Sequence, residues 1–497
     1  MGTTHLDAKT KCAHRRVGGP AVFAAAFLAT CGAIALPVSA ALPAAPIAAA
    51  APQSNIPSRL DAKLDAKQET QWLHNLSSAQ YRTRRQAKHK FLAAGALAVP
   101  FLRHALHHAT KPQLRGVLAR VLRQIALRTR LGPTLITLHL KNVSPKKVLD
   151  AISRQAHGQF TCWPPQMWAQ QQNARKISFN VVRQPFWAVM QRFQKKTGIG
   201  PANWGDSPGL TVRQLGQTLT PPTCYHGAFM VQAAGIMRNS SVQPAANTAR
   251  QQPAARNLAM QLAVYCEPKL AIMQGGYCVA TKAVTDTGRS LLSPPTNQSY
   301  SWSGNVGVCE WNLQPSLADV KHAGKYIKKF RGYWRCVVAT DVKTWTIPHI
   351  LRHRTKPLEK KFGRSTLVIE SVKGMGVNQW TVVLRFTGPA GGSHIFGGAL
   401  ANMPAMQQTV TNQQASFLQN SLMLLDAHGN ALGGSGSKWQ RAGATATITC
   451  SFVAGYSVNN GMPAAPAGAR PTALTLRVPV QFREVRIPLR FRDLRLP

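Results

Sequence analysis

Few residues in this chain have the types and spacing that chemistry needs. His104, His107 and His108 stand at i, i+3 and i+4, which on a helix sets three imidazoles on one face. That spacing suits a metal ion. No carboxylate or cysteine lies close in sequence to complete a shell. Arg115, Arg120, Arg123, Arg128 and Arg130 continue the pattern as a solvated basic face. The carboxylates are scattered. A glycosidase needs two of them facing across a cleft, and only long-range folding could bring Glu267, Glu310 and Glu370 together. Asp286 and Asp426 each stand just ahead of a glycine, where aspartate forms turns through side-chain bonds to the backbone. The chain has no glycine-rich phosphate loop, G-x-S-x-G, H-E-x-x-H or paired metal motif. The expectation is a non-catalytic protein with no catalytic residues, no metal site and no cofactor.

Nine cysteines are present, and Cys12 and Cys31 fall within the first 40 residues. The remaining seven are odd in number, so at least one is unpaired within the chain. None has C-x-x-C spacing, which argues against zinc. Cys266 and Cys278 flank an expected hairpin and are one candidate disulfide; Cys309 and Cys336 are a second. Buried thiols acting as small apolar residues are the alternative.

The 497 residues carry 60 Lys+Arg against 16 Asp+Glu, a net charge of +44, with 44% hydrophobic residues. That length allows several domains and packed cores. The positive excess runs through the whole chain. It fits a polyanionic partner, such as an anionic polysaccharide or lipid surface. It also fits life in acid, where few carboxylates leave few groups to protonate. A dedicated nucleic-acid role is the weaker expectation, because Trp187 sits on an apolar helix stripe and the Lys and Arg residues are mostly on solvated faces.

Residues 1–40 read as a signal peptide: His14, Arg15 and Arg16, then an apolar run from Val22 to Leu36, then Val38-Ser39-Ala40. An uncleaved anchor is the alternative. Residues 41–58 are an Ala/Pro linker. No later run is long enough for a membrane helix, so no transmembrane span is expected after signal cleavage.

Residues 59–131 show helical spacing, as in Leu114, Val117, Leu118, Val121, Leu122 and Ile125. Pro100 and Pro112 punctuate them. Residues 134–215 follow a clearer plan. Strand LITLHLKN leads through Ser144-Pro145 into a helix with Val148, Leu149 and Ile152 inward. Strand KISFNVV leads through Pro185 into a second helix with Phe186, Trp187, Val189, Met190 and Phe193 inward, closed by Thr197-Gly198. With short strands at Gln159–Trp163, Ile199–Trp204 and Leu210–Leu215, the expected order is β-α-β-β-α-β-β.

The matching stretches Leu138 to Asp150 and Ile177 to Gly198 resemble the secretin and TonB short N-terminal domain. The resemblance covers about 80 residues and implies a small βαββαβ protein-recognition module in the periplasm. The channel or barrel that follows in that family is not evident, so transport does not carry over. Lys146, Lys147, Arg154, Arg175, Lys176 and Arg183 are the candidate partner-binding surface. The 59–131 segment resembles a degenerate HEAT-type repeat.

From residue 220 on, the pattern is mostly β, read as a β-rich domain at 220–390. A second unit, or the completion of the first, follows at 391–497. Strands are expected at Leu258–Glu267, Tyr277–Val284, Tyr333–Val342, Ser365–Val372, Gln379–Phe386, Leu474–Val480 and Val485–Phe491, with Pro488 marking a sheet edge. Asp286-Thr287-Gly288 and Asp426-Ala427-His428-Gly429 look like the same turn used twice, which points to two related β units. The whole arrangement resembles uncharacterised exported proteins of planctomycete-type bacteria. The fold expectation is multidomain α+β: a helical segment, the small module, then antiparallel β-sandwich domains. The function expected is an exported envelope binding or scaffold protein, at the periplasm or cell surface. It would contact an envelope protein partner and anionic polymers. The alternative is a carbohydrate-active or peptidase-like hydrolase on the C-terminal β region.

Overall fold

A computed structural model describes residues 65–158, 160–164, 166–170, 176–202, 209–215, 221–241, 255–292, 298–300, 309–353, 356–363, 365–387, 416–442, 445–456 and 463–497. The expected signal and linker lie outside the described residues, as do Arg175 and Trp204. The described residues belong to one compact unit, Lys63–Pro497. Helices and antiparallel strands in several sheets make a mixed α+β fold.

Four helices come first: α1 (Ala66–Leu76), α2 (Tyr81–Ala94), α3 (Val99–His108) and α4 (Pro112–Leu131). Asp65 caps α1 by accepting from the Lys67 amide at 3.1 Å. Pro100 and Pro112 each stand in a first helical turn, where a missing N–H costs nothing. Phe91, Leu102, Leu118, Val121 and Ile125 form the dry seam.

The next segment contains β1 (Leu135–Val143), α5 (Pro145–Ala156), β2 (Phe160–Trp163), α6 (Met167–Gln170), β3 (Ile177–Pro185), α7 (Phe186–Thr197), β4 (Ile199–Pro201) and β5 (Leu210–Gln214). Its strands make two small sheets, β1-β3 and β2-β5-β4, with β2 and β5 parallel. A register shift at Thr137 leaves that residue's amide and carbonyl to the Gln155 side chain, at 3.0 and 2.7 Å. An amide side chain here takes the place of a strand partner.

Fifteen strands follow among the described residues. The first group is β6 (Thr223–His226), β7 (Phe229–Ser241), β8 (Ala255–Cys266), β9 (Ala271–Thr285), β10 (Gln298–Tyr300), β11 (Glu310–Leu313), β12 (Ser316–Ala318) and β13 (Tyr326–Pro348). The second is β14 (Leu358–Phe362), β15 (Ser365–Gly374), β16 (Gln379–Thr387), β17 (Met423–Leu425), β18 (Gly433–Ala442), β19 (Thr445–Val453) and β20 (Ala473–Arg495).

The two groups repeat one path. In the first, sheet β11-β8-β7-β6 sends β9 to a facing sheet, returns β11 and β12 to β8, then lays β13 along β9. In the second, sheet β18-β19-β16-β15-β14 sends β17 across, returns β19 to β16, then lays β20 along β17. The facing sheet is common to both, in the order β10-β9-β13-β20-β17.

Each of β13 and β20 is 23 residues long, and they pair antiparallel from Tyr326↔Arg495 to Pro348↔Ala473. The core divides accordingly. Trp334 and Phe330 of β13 share one cluster with Ile487 and Phe491 of β20 and with β7 and β8. Trp345 and Ile347 of β13 share the other with Leu474 and Leu476 of β20 and with β15, β16 and β19. Each long strand therefore begins in one core and ends in the other. The two late strands expected at Leu474–Val480 and Val485–Phe491 are one strand. A bulge near Asp341 and Gln481 lies between the halves.

The helical module is not a separate body. Consecutive residues Phe229, Met230 and Val231, and Val264, Tyr265 and Cys266, are buried on both strand faces. One face meets the common sheet and the other meets the module, where Trp187 donates to the Ala228 carbonyl at 3.0 Å and packs on Tyr265 at 6.1 Å. By contrast β19 alternates strictly, with only one covered face.

The repeated turn is real, but its register is shifted by one residue. Gly288 and Gly429 are equivalent, with φ of 81° and 78°. The group that accepts from the next amide is Asp426 Oδ1 in one turn (Asn430 N, 2.8 Å) and Thr285 Oγ1 in the other (Arg289 N, 3.1 Å). Asp286 instead accepts from the Lys325 amide at 3.1 Å, holding the start of β13.

Candidate anion-binding face

The sequence of β13 alternates with its core. Phe330, Trp334, Cys336 and Val338 point inward, so Lys329, Arg331, Tyr333 and Arg335 share the outer face. On β20, Val485, Ile487, Leu489 and Phe491 point inward and Arg486, Arg490 and Arg492 outward. The antiparallel register then sets cation against cation: Lys329 opposite Arg492, Arg331 opposite Arg490, Arg335 opposite Arg486. On the other side of β13, Lys282 of β9 pairs with Arg331. One cross-strand row thus reads Lys282, Arg331, Arg490.

Directly opposite residues have side chains about 5 Å apart, and like charges there destabilise a sheet. The field is visible at Lys329, whose ammonium is made more acidic than an ordinary lysine by Arg331, then Lys282, with Arg492 also contributing. Tyr333 lies between two guanidiniums, with Arg486 3.7 Å and Arg335 5.8 Å from its ring centre. A guanidinium stacked on a ring keeps its in-plane N–H donors available to planar anions, and Arg486 is placed this way, whereas Arg335 is paired with Glu484. The adjoining carboxylates are already engaged: Glu484 with Arg335 at 3.6 Å and Asp493 with Lys328 at 2.8 Å.

The surface expected from sequence is more dispersed. Lys146 pairs with Asp150 at 3.0 Å along one turn of α5, and Arg154 continues that stripe. Lys147 and Arg154 are exposed. Lys176 and Arg183 are exposed near opposite ends of β3, about 23 Å apart at a strand's rise per residue. These five do not form one cluster comparable to the β13–β20 face.

His104 and His108 rings lie 4.4 Å apart, and His107 is 5.0 Å from His108. Among the described residues no group of His, Cys, Asp or Glu is arranged to hold a metal ion. The three glutamates stay apart in role. Glu267 is fully buried where the modules meet. It accepts from the Thr134 amide at 3.0 Å and hydroxyl at 2.5 Å and pairs with Lys269 at 3.1 Å. Lys269 in turn donates to the Gly132 carbonyl at 2.6 Å. Glu310 sits on β11 with a buried Oε1 that has no hydrogen-bond partner. Burial raises its pKa to about 9, the Cys309 sulfur adds to the shift, and Arg213 opposes it. Glu370 pairs with Arg385 at 2.8 Å across β15 and β16.

Both expected disulfides are absent: all seven described cysteines are free thiols. Cys266 and Cys278 do not flank a hairpin, because residues 267–270 carry the chain from one sheet to the facing one. Cys278 lies opposite Trp334, and Cys309 and Cys336 are likewise on different sheets.

No protein-family model matches the chain, and no curated protein or solved structure is significantly similar to it. No helix among the described residues is long and apolar enough to cross a membrane.

Proposed function

We propose that this is an exported, non-catalytic binding protein of the cell envelope whose β13–β20 face holds an anionic polysaccharide. The observation that carries this reading is the register itself. It places Lys329 and Arg331 directly opposite Arg492 and Arg490, an arrangement that costs stability unless an anion fills it. A flat sheet with charges repeating every second residue suits an extended polymer. The α5–α7 module, resembling the secretin and TonB short domain, is the protein-contacting part. The two β groups act as a pair of sandwiches that scaffold both surfaces.

Binding of polygalacturonate and of heparin, each followed by calorimetry over a range of salt, tests the proposal. The double variant Arg331→Glu/Arg490→Glu is expected to bind roughly tenfold or more weakly, with a shallower salt dependence. The control Lys146→Glu/Lys147→Glu is expected to bind as the parent does. Equal binding by both variants overturns the assignment of the face. Binding of duplex DNA alone overturns the choice of ligand.

A further inference from the structure

The register that rejects the expected cysteine pairs sets up another. Tyr265 of β8 lies opposite Glu310 of β11. One step further along the antiparallel pair, Cys266 faces Cys309, and the Cys266 amide donates to the Cys309 carbonyl at 2.8 Å. Opposite residues in such a pair have Cα atoms about 4.5–5.5 Å apart, within the span of about 4.4–6.8 Å that a disulfide bridges. Both sulfurs converge on one atom, the Leu270 carbonyl oxygen, at 3.6 Å from Cys266 and 3.8 Å from Cys309. The two residues are 0% and 3% exposed.

We infer that Cys266 and Cys309 form a disulfide when the chain folds in the presence of a small-molecule disulfide. The thiolate of one cysteine attacks the small disulfide and expels one thiolate from it. The second cysteine then attacks the mixed disulfide and expels the other. One S–S bond forms and one breaks. The two cysteines lose two electrons and two protons, and the small disulfide leaves as two thiols. Burial raises the pKa of the Cys266 thiol well above its ordinary value, so exchange belongs to the stage before β8 and β11 close over it.

The bond would tie the start of β11 to the end of β8 and hold Glu267 against Thr134. Cys336 lies on the facing sheet near Cys266 and is the natural competitor. Cys278 and Cys450 are buried, and burial pushes each thiol up to about 12.

The full chain is refolded in oxidised and reduced glutathione, alkylated, digested with trypsin and analysed by mass spectrometry. The four candidate cysteines fall in different tryptic peptides, so each pairing is distinct. The expected product links peptides 257–269 and 290–321, with Cys278, Cys336 and Cys450 alkylated. A second measurement covers variants that fold poorly. The parent should melt about 2–5 °C higher when oxidised than when reduced. Cys309→Ala should lose that difference and Cys278→Ala keep it. Cys266 found alkylated, or linked to Cys278 or Cys336, overturns the inference, as does a Cys309→Ala chain that keeps the full oxidation-dependent gain.

Discussion

Glu310 is the residue whose charge and surroundings agree least. Its side chain is half-buried beside Cys309, its buried Oε1 has no partner, and its pKa rises from 4.5 to about 9. A raised folded value means the folded protein binds the proton more tightly than the unfolded chain. The stability this contributes is fully present below about pH 4.5 and is lost as pH rises through about 9. The slope in that window is at most about 1.4 kcal/mol per pH unit. Urea midpoints for the parent and Glu310→Gln at pH 4, 6 and 8 read this directly. The variant should fall behind or match the parent at pH 4 and gain on it by pH 8; parallel curves would sink the idea.

At the scale of elements, the repeated turn shows how one geometry uses two side chains. Asp426 accepts from His428 N and Asn430 N, both at 2.8 Å, and from Asn430 Nδ2 at 3.0 Å. Desolvation is the largest single effect and raises its pKa, but these bonds and the nearby His428 together outweigh it and hold the pKa below the ordinary carboxylate value. Thr285 fills the same place with a single hydroxyl. Asp426→Ala should therefore destabilise by about 1–2 kcal/mol and Thr285→Ala by about half that. Asp286→Ala should leave its own turn intact and loosen the start of β13 instead. Hydrogen exchange of the Asn430, Arg289 and Lys325 amides separates the three outcomes. Exchange at Arg289 that responds to Asp286→Ala and not to Thr285→Ala would show that the Asp-led alignment was correct after all.

Across the whole molecule, the helical module and the first β group share one core, closed at the junction by Glu267, Lys269 and Trp187. Breaking a buried ion pair from one side costs about 3–5 kcal/mol, because the remaining charge stays buried. Glu267→Ala is expected to lower stability by that order. It should also split a single thermal transition into two by uncoupling residues 134–215 from β7 and β8. Calorimetry, with fluorescence of Trp187 as the local probe, checks this. A variant that still melts in one step at an unchanged temperature would mean the junction contributes little.

Much of the local structure was legible because it depends on neighbours in sequence. The Ser144 cap, the proline helix starts, the apolar stripes of α5 and α7 and the period-two strands follow from backbone sterics and side-chain alternation. The cationic face was half legible. Lys329–Arg335 and Arg486–Arg492 set their cations at even spacing with apolar residues or glycine between, which places cations on one side of each strand. Which strand lies beside which is decided over a separation of more than 140 residues, by burial of Trp334, Ile487 and their neighbours in a common core, and no local pattern encodes it. The same reason misled the cysteines. Closeness in sequence favoured Cys266 with Cys278, but a four-residue crossing sends them to different sheets, and Cys309 returns to stand opposite Cys266. The sequence by itself determined the basic charge, the element types and most of their faces. Only the tertiary structure decided that the two long strands pair, that the module and sheet share a core, and which charges and thiols meet.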